Sequence, residues 1–266
     1  MNLVSAYLNL TKPKISVLFA FTAIVGLNAI VSVSLEPLTF WMIVLGVFFI
    51  GAAANALNQY FERDIDARMK RTAQRRSLPL KKISPRSALI FSLVLCLLGV
   101  ALLYIFGNVL ASLLGASTIV FYSFFYTLYL KPRTPYNIVI GGMAGSMGPV
   151  LAWVAATGSF AWEPIIMFLI IFFWSPPHFW ALSLYYKDDY ASVGLPMLPV
   201  IKGETETRKQ IFIYSLTLLP LTLSLLLTGV VGWFYAAVSF FSTLLFIIGA
   251  FVIYKNSSLL FCKKYF

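Results

Sequence analysis

Three oxygen-bearing side chains recur at a spacing of four in the stretch NALNQYFERDIDARMKRTAQRRSLP, residues 55–79. They are Asn58, Glu62 and Asp66. In helical register they share one face, as does Asn55 a turn earlier. Side chains four apart are neighbours, so their oxygens line a single stripe. Hard cations such as Mg²⁺ take oxygen ligands and often arrive carrying substrate phosphates. Nine Lys and Arg residues follow between Arg63 and Arg86, among them Arg71 and Arg75, which lie within reach of the acids. This is the layout of a metal-plus-diphosphate site at a membrane surface. The competing reading is that charges just past a membrane helix only set topology and solvate a loop. Asp64 fits that reading, because it points off the Asn58 face and is spaced to pair with Arg68 at i+4.

A second acidic cluster tips the balance towards chemistry. The stretch FFWSPPHFWALSLYYKDDYASVGLPMLPVIKGET places Asp188 and Asp189 just beyond an apolar run. Two carboxylate clusters on one membrane face are suited to holding Mg²⁺ ions on a diphosphate, whose charge they would offset as it leaves. The short loop KPRTP adds Lys131 and Arg133 to the same face, and phosphate oxygens favour such cations, Arg in a bidentate way. His178, the single histidine, follows Pro176-Pro177, which are expected to kink or unwind their helix. An ionisable group within a span is a functional candidate by default, against the simpler reading of a core histidine bonded to a freed carbonyl. Tyr122 and Tyr126 could face a carbocation with their rings. Gly141, Gly142, Gly145 and Gly148 have the small-residue spacing that lets helices approach closely, with Asn137 the polar residue at the entry to that helix.

The elements that must position these groups are membrane helices. The chain has 266 residues, 60% hydrophobic and 11% charged. That composition, with runs of about 20 apolar residues, excludes an ordinary soluble domain. The reading is an all-α polytopic transmembrane helical bundle, a single domain over residues 1–266. Its eight spans cover about 15–35, 38–60, 86–106, 108–130, 136–157, 161–184, 210–231 and 233–254. Every one of the twenty Lys and Arg residues then falls on one side, while the opposite loops hold only Glu36 and Glu163. The positive-inside rule makes the basic side cytoplasmic, with both termini inside. It also explains the net charge of +11 without nucleic acid. The two long loops, about 61–85 and 185–209, are both cytoplasmic, and long loops tend to carry function. No cleavable signal peptide or mitochondrial-type presequence is evident, so a bacterial or archaeal plasma membrane is the expected home. Two isolated cysteines give neither a disulfide framework nor a metal spacing.

The combination of motifs resembles the UbiA-type intramembrane prenyltransferases. It does so through an N-x-x-x-D-x-x-x-D pattern after the second span and an Asp motif after the sixth. Four stretches resemble the protohaem IX farnesyltransferase branch: ANALNQYFERDIDARMKRTAQRR, YTLYLKPRTPYNIVIGGMAGSMGP, SPPHFWALSLYYKDDY and GLPMLPV. The resemblance spans roughly residues 8 to 255. It implies transfer of a farnesyl group from farnesyl diphosphate to a vinyl group of haem b. The product would be haem O, made at the cytoplasmic side of a bacterial inner membrane and handed to a haem A synthase. It also implies a helical bundle with a central cavity, and Mg²⁺ as cofactor. Asn58, Glu62 and Asp66 fall on the first metal motif and Asp188 and Asp189 on the second. Lys131 and Arg133 fall on the diphosphate-binding loop, and His178 on a histidine of the haem branch.

Three departures from that pattern stand out. Glu62 replaces the usual Asp, and Arg76 replaces the usual Pro. Eight spans are read where the family has nine, the chain stopping at KKYF where a ninth would begin.

Two other functions compete. A prenyltransferase acting on an aromatic quinone precursor shares the first motif, and His178 with the PMLP stretch argues for haem. A membrane carrier for haem or lipid would tend to place charges near the bilayer midplane with repeat symmetry. Here the acids sit at the edge.

Overall fold

The computed structural model describes residues 2–30, 34–255, 262 and 265. Among them every regular element is helical and no strand occurs. In chain order the helices are α1 (Leu3–Leu10), α2 (Pro13–Asn28), α3 (Pro37–Phe61), α4 (Arg63–Asp66), α5 (Lys70–Ala73), α6 (Pro85–Phe106) and α7 (Val109–Val120). A π-helix, Phe121–Leu130, continues α7. Then come α8 (Asn137–Ser146), α9 (Gly148–Thr157), α10 (Trp162–Tyr185), α11 (Lys187–Ser192), α12 (Leu198–Ile201) and α13 (Gly203–Ser224). A 3₁₀ turn, Leu225–Thr228, leads to α14 (Trp233–Lys255). Among the described residues, seven helical segments are long and apolar enough to cross a membrane, and α1 with α2 forms an eighth if that pair, bent by 52°, is one span. The chain is a multi-pass membrane protein.

The expected spans need four adjustments. The first, read as 15–35, is the bent pair, and residues 31–33 of it lie outside the described residues, as do Lys263 and Lys264. The fourth ends as a π-helix. The seventh starts earlier, at Gly203, because Glu204 and Glu206 in its first turn suit the helix dipole and a Glu204–Arg208 pair at 2.9 Å braces the next turn. The sixth neither breaks nor unwinds at Pro176-Pro177. The carbonyls of Phe172 and Phe173 lose their usual donors there, which a membrane helix tolerates when its neighbours supply the support. The two long loops, expected at about 61–85 and 185–209, are also not structureless: α4 and α5 occupy one, and α11, α12 and the start of α13 the other.

The described residues form two compact units. The first comprises residues 1–130 and 147–164, the second 131–146 and 165–266. In the first, α3 and α6 approach closely at Gly99, where a Cβ would sit 2.9 Å from the backbone nitrogen of Ile50. Gly148 has the same role against α2, where a Cβ would meet Thr22 and come 2.9 Å from the carbonyl oxygen of Phe19. Of the other glycines in that motif, Gly142 packs near Ser175 and Phe172, whereas a Cβ on Gly145 would meet nothing within 4 Å. Asn108 joins two helix ends. Its Oδ1 caps α7 by accepting from Ala111 N at 2.9 Å, and its Nδ2 donates to the carbonyl of Val154 at 2.6 Å near the end of α9.

In the second unit, Trp180 is fully buried and meets Tyr214 of α13 edge-on at 5.1 Å. Gly194 and Gly203 adopt left-handed φ values of 72° and 82° on either side of α12, conformations that favour glycine.

Candidate active site

In the first unit, α3 begins with Pro37 at its first turn and runs apolar as far as Ala54 before meeting Asn55, Asn58 and Gln59, all buried. Its i→i+4 bonding outlasts its nominal end. Glu62 N donates to Asn58 O at 2.9 Å, and Asp66 N donates to Glu62 O at 2.8 Å. The spacing of four therefore stays helical through the junction with α4. Asn58 is 2% exposed, Glu62 5% and Asp66 2%. Polar groups buried to this degree require partners.

The partners are specific. Lys12, at the bend between α1 and α2, donates from Nζ to Asn58 Oδ1 at 2.9 Å. Asn58 Nδ2 donates to Thr127 Oγ1 at 3.1 Å, and Thr127 in turn donates to Tyr122 O at 2.8 Å, a five-residue step that matches its π-helix. Runs of π geometry are frequent at functional sites. Arg76 places Nη1 on Asp66 Oδ2 and 3.7 Å from Glu62 Oε2. The loop carrying Arg76 is pinned at two points, by Thr72 Oγ1 donating to Asp66 O at 2.8 Å and by Ser77 Oγ donating to Ala6 O at 2.8 Å. Arg71 is half-buried on α5, and Arg75 is exposed. Asp64 pairs with Arg63 at 3.7 Å rather than with Arg68, whose Nε reaches only the Asp64 carbonyl at 3.4 Å. The partners missed from sequence are thus Lys12, Thr127 and, on the two acids, Arg76. For Arg76, its departure from the resemblance pattern was the available signal.

In the second unit, Asp188 and Asp189 lie in the first turn of α11. Consecutive helical residues point about 100° apart, and accordingly Asp188 is exposed while Asp189 is half-buried. Lys187 pairs with Glu204 at 3.3 Å. Lys131 is half-buried and Arg133 exposed. Asn137 is fully buried, donates to Thr134 O at 2.6 Å, and has no hydrogen-bond partner for Oδ1. His178 is half-buried and stacks on Trp174 with ring centroids 4.5 Å apart, its edge neighbour being Phe179 at 5.2 Å. Tyr122 and Tyr126, in the first unit, stack on each other at 5.1 Å.

Among the described residues, no three His, Cys, Asp or Glu side chains converge into a group that could hold a metal. The oxygen set at the end of α3 nonetheless fits a hard cation. Its three side chains are oxygen donors, and each already faces a positive charge supplied by Lys12 or Arg76.

The end of α3 thus carries a buried stripe of Asn, Glu and Asp answered by cations, in an all-helical membrane protein. The UbiA prenyltransferase family matches residues 19–266, and the chain belongs to that family. Within it, the chain is similar to proteins named protoheme IX farnesyltransferase. That of Azorhizobium caulinodans is 48% identical over 233 residues, covering 88% of this chain and 75% of the relative. That of Bartonella henselae is 43% identical over 265 residues, covering 98% and 84%.

Solved structures share the fold. A digeranylgeranylglyceryl phosphate synthase superposes with a TM-score of 0.79 at 21% identity, covering 100% of this chain and 92% of that one. A UbiA homologue from Archaeoglobus fulgidus, bound to DMAPP and Mg²⁺, gives 0.69 at 17% identity, covering 98% and 97%.

Proposed function

We propose that this chain transfers the farnesyl group of farnesyl diphosphate to a vinyl group of haem b, making haem O. The observation that carries this reading is the buried Asn58–Glu62–Asp66 stripe, already arranged around positive charge, in a chain 43–48% identical to proteins named for this reaction.

Asn58, Glu62 and Asp66, with Asp188 and Asp189 of the second motif, are the residues that would hold Mg²⁺. When bound, the ion supplies electrophilic stabilisation of the departing diphosphate. The chain's own residues do the rest. Lys12 and Thr127 fix the orientation of the Asn58 amide, Lys12 by donating to Oδ1 and Thr127 by accepting from Nδ2. Lys131 and Arg133, with Arg71 and Arg75, brace the diphosphate oxygens as charge builds on them. The allylic C–O bond breaks with its electron pair leaving on diphosphate, and the haem vinyl carbon forms the new bond. Water then adds to the resulting haem-side cation and loses a proton. An apolar interior keeps water from the allylic cation until that bond forms. His178, held by Trp174, contacts haem. The acids would lie on the cytoplasmic side of a bacterial inner membrane, and the product would pass to a haem A synthase.

The test is diphosphate release from farnesyl diphosphate by purified protein with haem b as acceptor, in wild type, Asp66→Ala and Asp189→Ala, with and without EDTA. Release that depends on haem, on both aspartates and on divalent metal supports the reading. Near-normal turnover in both variants, or indifference to EDTA, contradicts it. A quinone precursor outcompeting haem as acceptor would replace haem with an aromatic substrate.

A further inference from the structure

Arg76 occupies the place a cation would take. Its guanidinium contacts Asp66 and lies 3.7 Å from Glu62, and its side chain is 17% exposed against 3% and 6% for the two acids. It is delivered there by architecture, because the loop is tied to Asp66 through Thr72 and to α1 through Ser77. The charge balance is informative. Within the Asn58–Glu62–Asp66 stripe the two carboxylates already meet the Arg76 guanidinium, and the Lys12 ammonium sits on Asn58. A divalent ion entering the same oxygens would meet a positive charge at contact distance, so the two cations exclude each other. A diphosphate changes this, because it offers the guanidinium a bidentate partner and brings negative charge with the metal.

Resting on the metal-and-diphosphate reading above, we propose that Arg76 is the chain's own occupant of the cation position between Glu62 and Asp66. It leaves that position for the diphosphate, so that a divalent ion binds well only together with a diphosphate. The side chain is long enough to move while its backbone stays pinned. Arg76 is thereby a diphosphate-binding residue as well as a counter-ion. Linkage requires the coupling to be reciprocal: metal must raise the affinity for diphosphate by the factor by which diphosphate raises that for metal. A metal-free protein would keep its acids paired rather than collecting stray divalent ions.

The experiment is equilibrium dialysis of detergent-purified full chain against Mn²⁺, alone and with inorganic diphosphate, reading protein-bound metal. Wild type, Arg76→Gln, Arg76→Lys and Asp66→Asn are compared. The expected result is weak Mn²⁺ binding by wild type that tightens about tenfold with diphosphate, a typical coupling for linked sites. Arg76→Gln should bind Mn²⁺ alone about tenfold more tightly than wild type and gain little from diphosphate. Arg76→Lys, which keeps the charge without the planar fork, should fall between them and serves if the glutamine variant does not fold. Asp66→Asn should remove the binding. Arg76→Gln, or Arg76→Lys in its place, matching wild type while Asp66→Asn abolishes binding would overturn the role of Arg76 and leave the metal site standing. No Asp66-dependent Mn²⁺ in any variant would overturn both.

Discussion

Lys12 donates from Nζ to Oδ1 of Asn58 at 2.9 Å, joining the bend between α1 and α2 to the end of α3. Lys12 does so from a left-handed backbone, φ 47° and ψ 66°, immediately before Pro13. A non-glycine residue there is strained by about 1–2 kcal/mol. The ammonium gives a reason to keep it. Lys12→Gly relieves the backbone and deletes the charge, so it separates the two roles. The expected outcome is unchanged or slightly higher thermal stability with turnover reduced about tenfold, the loss of roughly one charge-assisted hydrogen bond. Full turnover in Lys12→Gly would make Lys12 a turn residue only.

Asp66 and Arg76 depend on each other for burial. Asp66→Ala leaves a half-buried guanidinium poorly paired, and Arg76→Ala leaves two buried carboxylates side by side. Each single change is expected to destabilise by about 3 kcal/mol, the usual result of breaking a buried pair. The double variant should recover part of that, with a coupling of roughly 1–3 kcal/mol. Chemical denaturation in detergent of the four members of the cycle measures it, and strict additivity would contradict the pairing.

Thr127 links Asn58 to the π-helix. Thr127→Val keeps the shape and removes the hydroxyl that accepts from Asn58 Nδ2 at 3.1 Å. The expected stability loss is about 1 kcal/mol, with a larger effect on turnover because Asn58 is then free to rotate its amide. Equal proportional losses of stability and turnover would show that Thr127 only packs.

The two aspartates of α11 should not be equivalent. Asp189 is half-buried and Asp188 exposed, so Asp189→Asn is expected to lower turnover about a hundredfold and Asp188→Asn less, since a substrate-directed charge has its strongest effect away from bulk water. Steady-state rates of the two variants at saturating metal decide the order.

The stripe was legible because its signal is local. A spacing of four on a helix keeps side chains together whatever the rest of the chain does, and here the backbone bonding carries that spacing from Asn58 through Glu62 to Asp66. The apolar runs were legible for the same reason. What surrounds the stripe was not, because it depends on tertiary return of the chain. Arg76 reaches the acids only because Thr72 and Ser77 fold its loop back. Lys12, read as one topology charge among many, reaches Asn58 only through the bend before Pro13. The π-helix of Phe121–Leu130 carries no Gly or Pro to mark it. At Pro176-Pro177 the unwinding half of the expectation does not occur, because a local breaker signal is accommodated within an unbroken helix.

The most direct measurement is the mass of haem recovered after incubating the purified chain with haem b, farnesyl diphosphate and Mg²⁺, with an EDTA control. The account predicts a haem heavier by one farnesyl group and one water-derived hydroxyl, formed only when metal is present. Unmodified haem together with prenylation of a quinone precursor, or product formed equally well with EDTA, would contradict it.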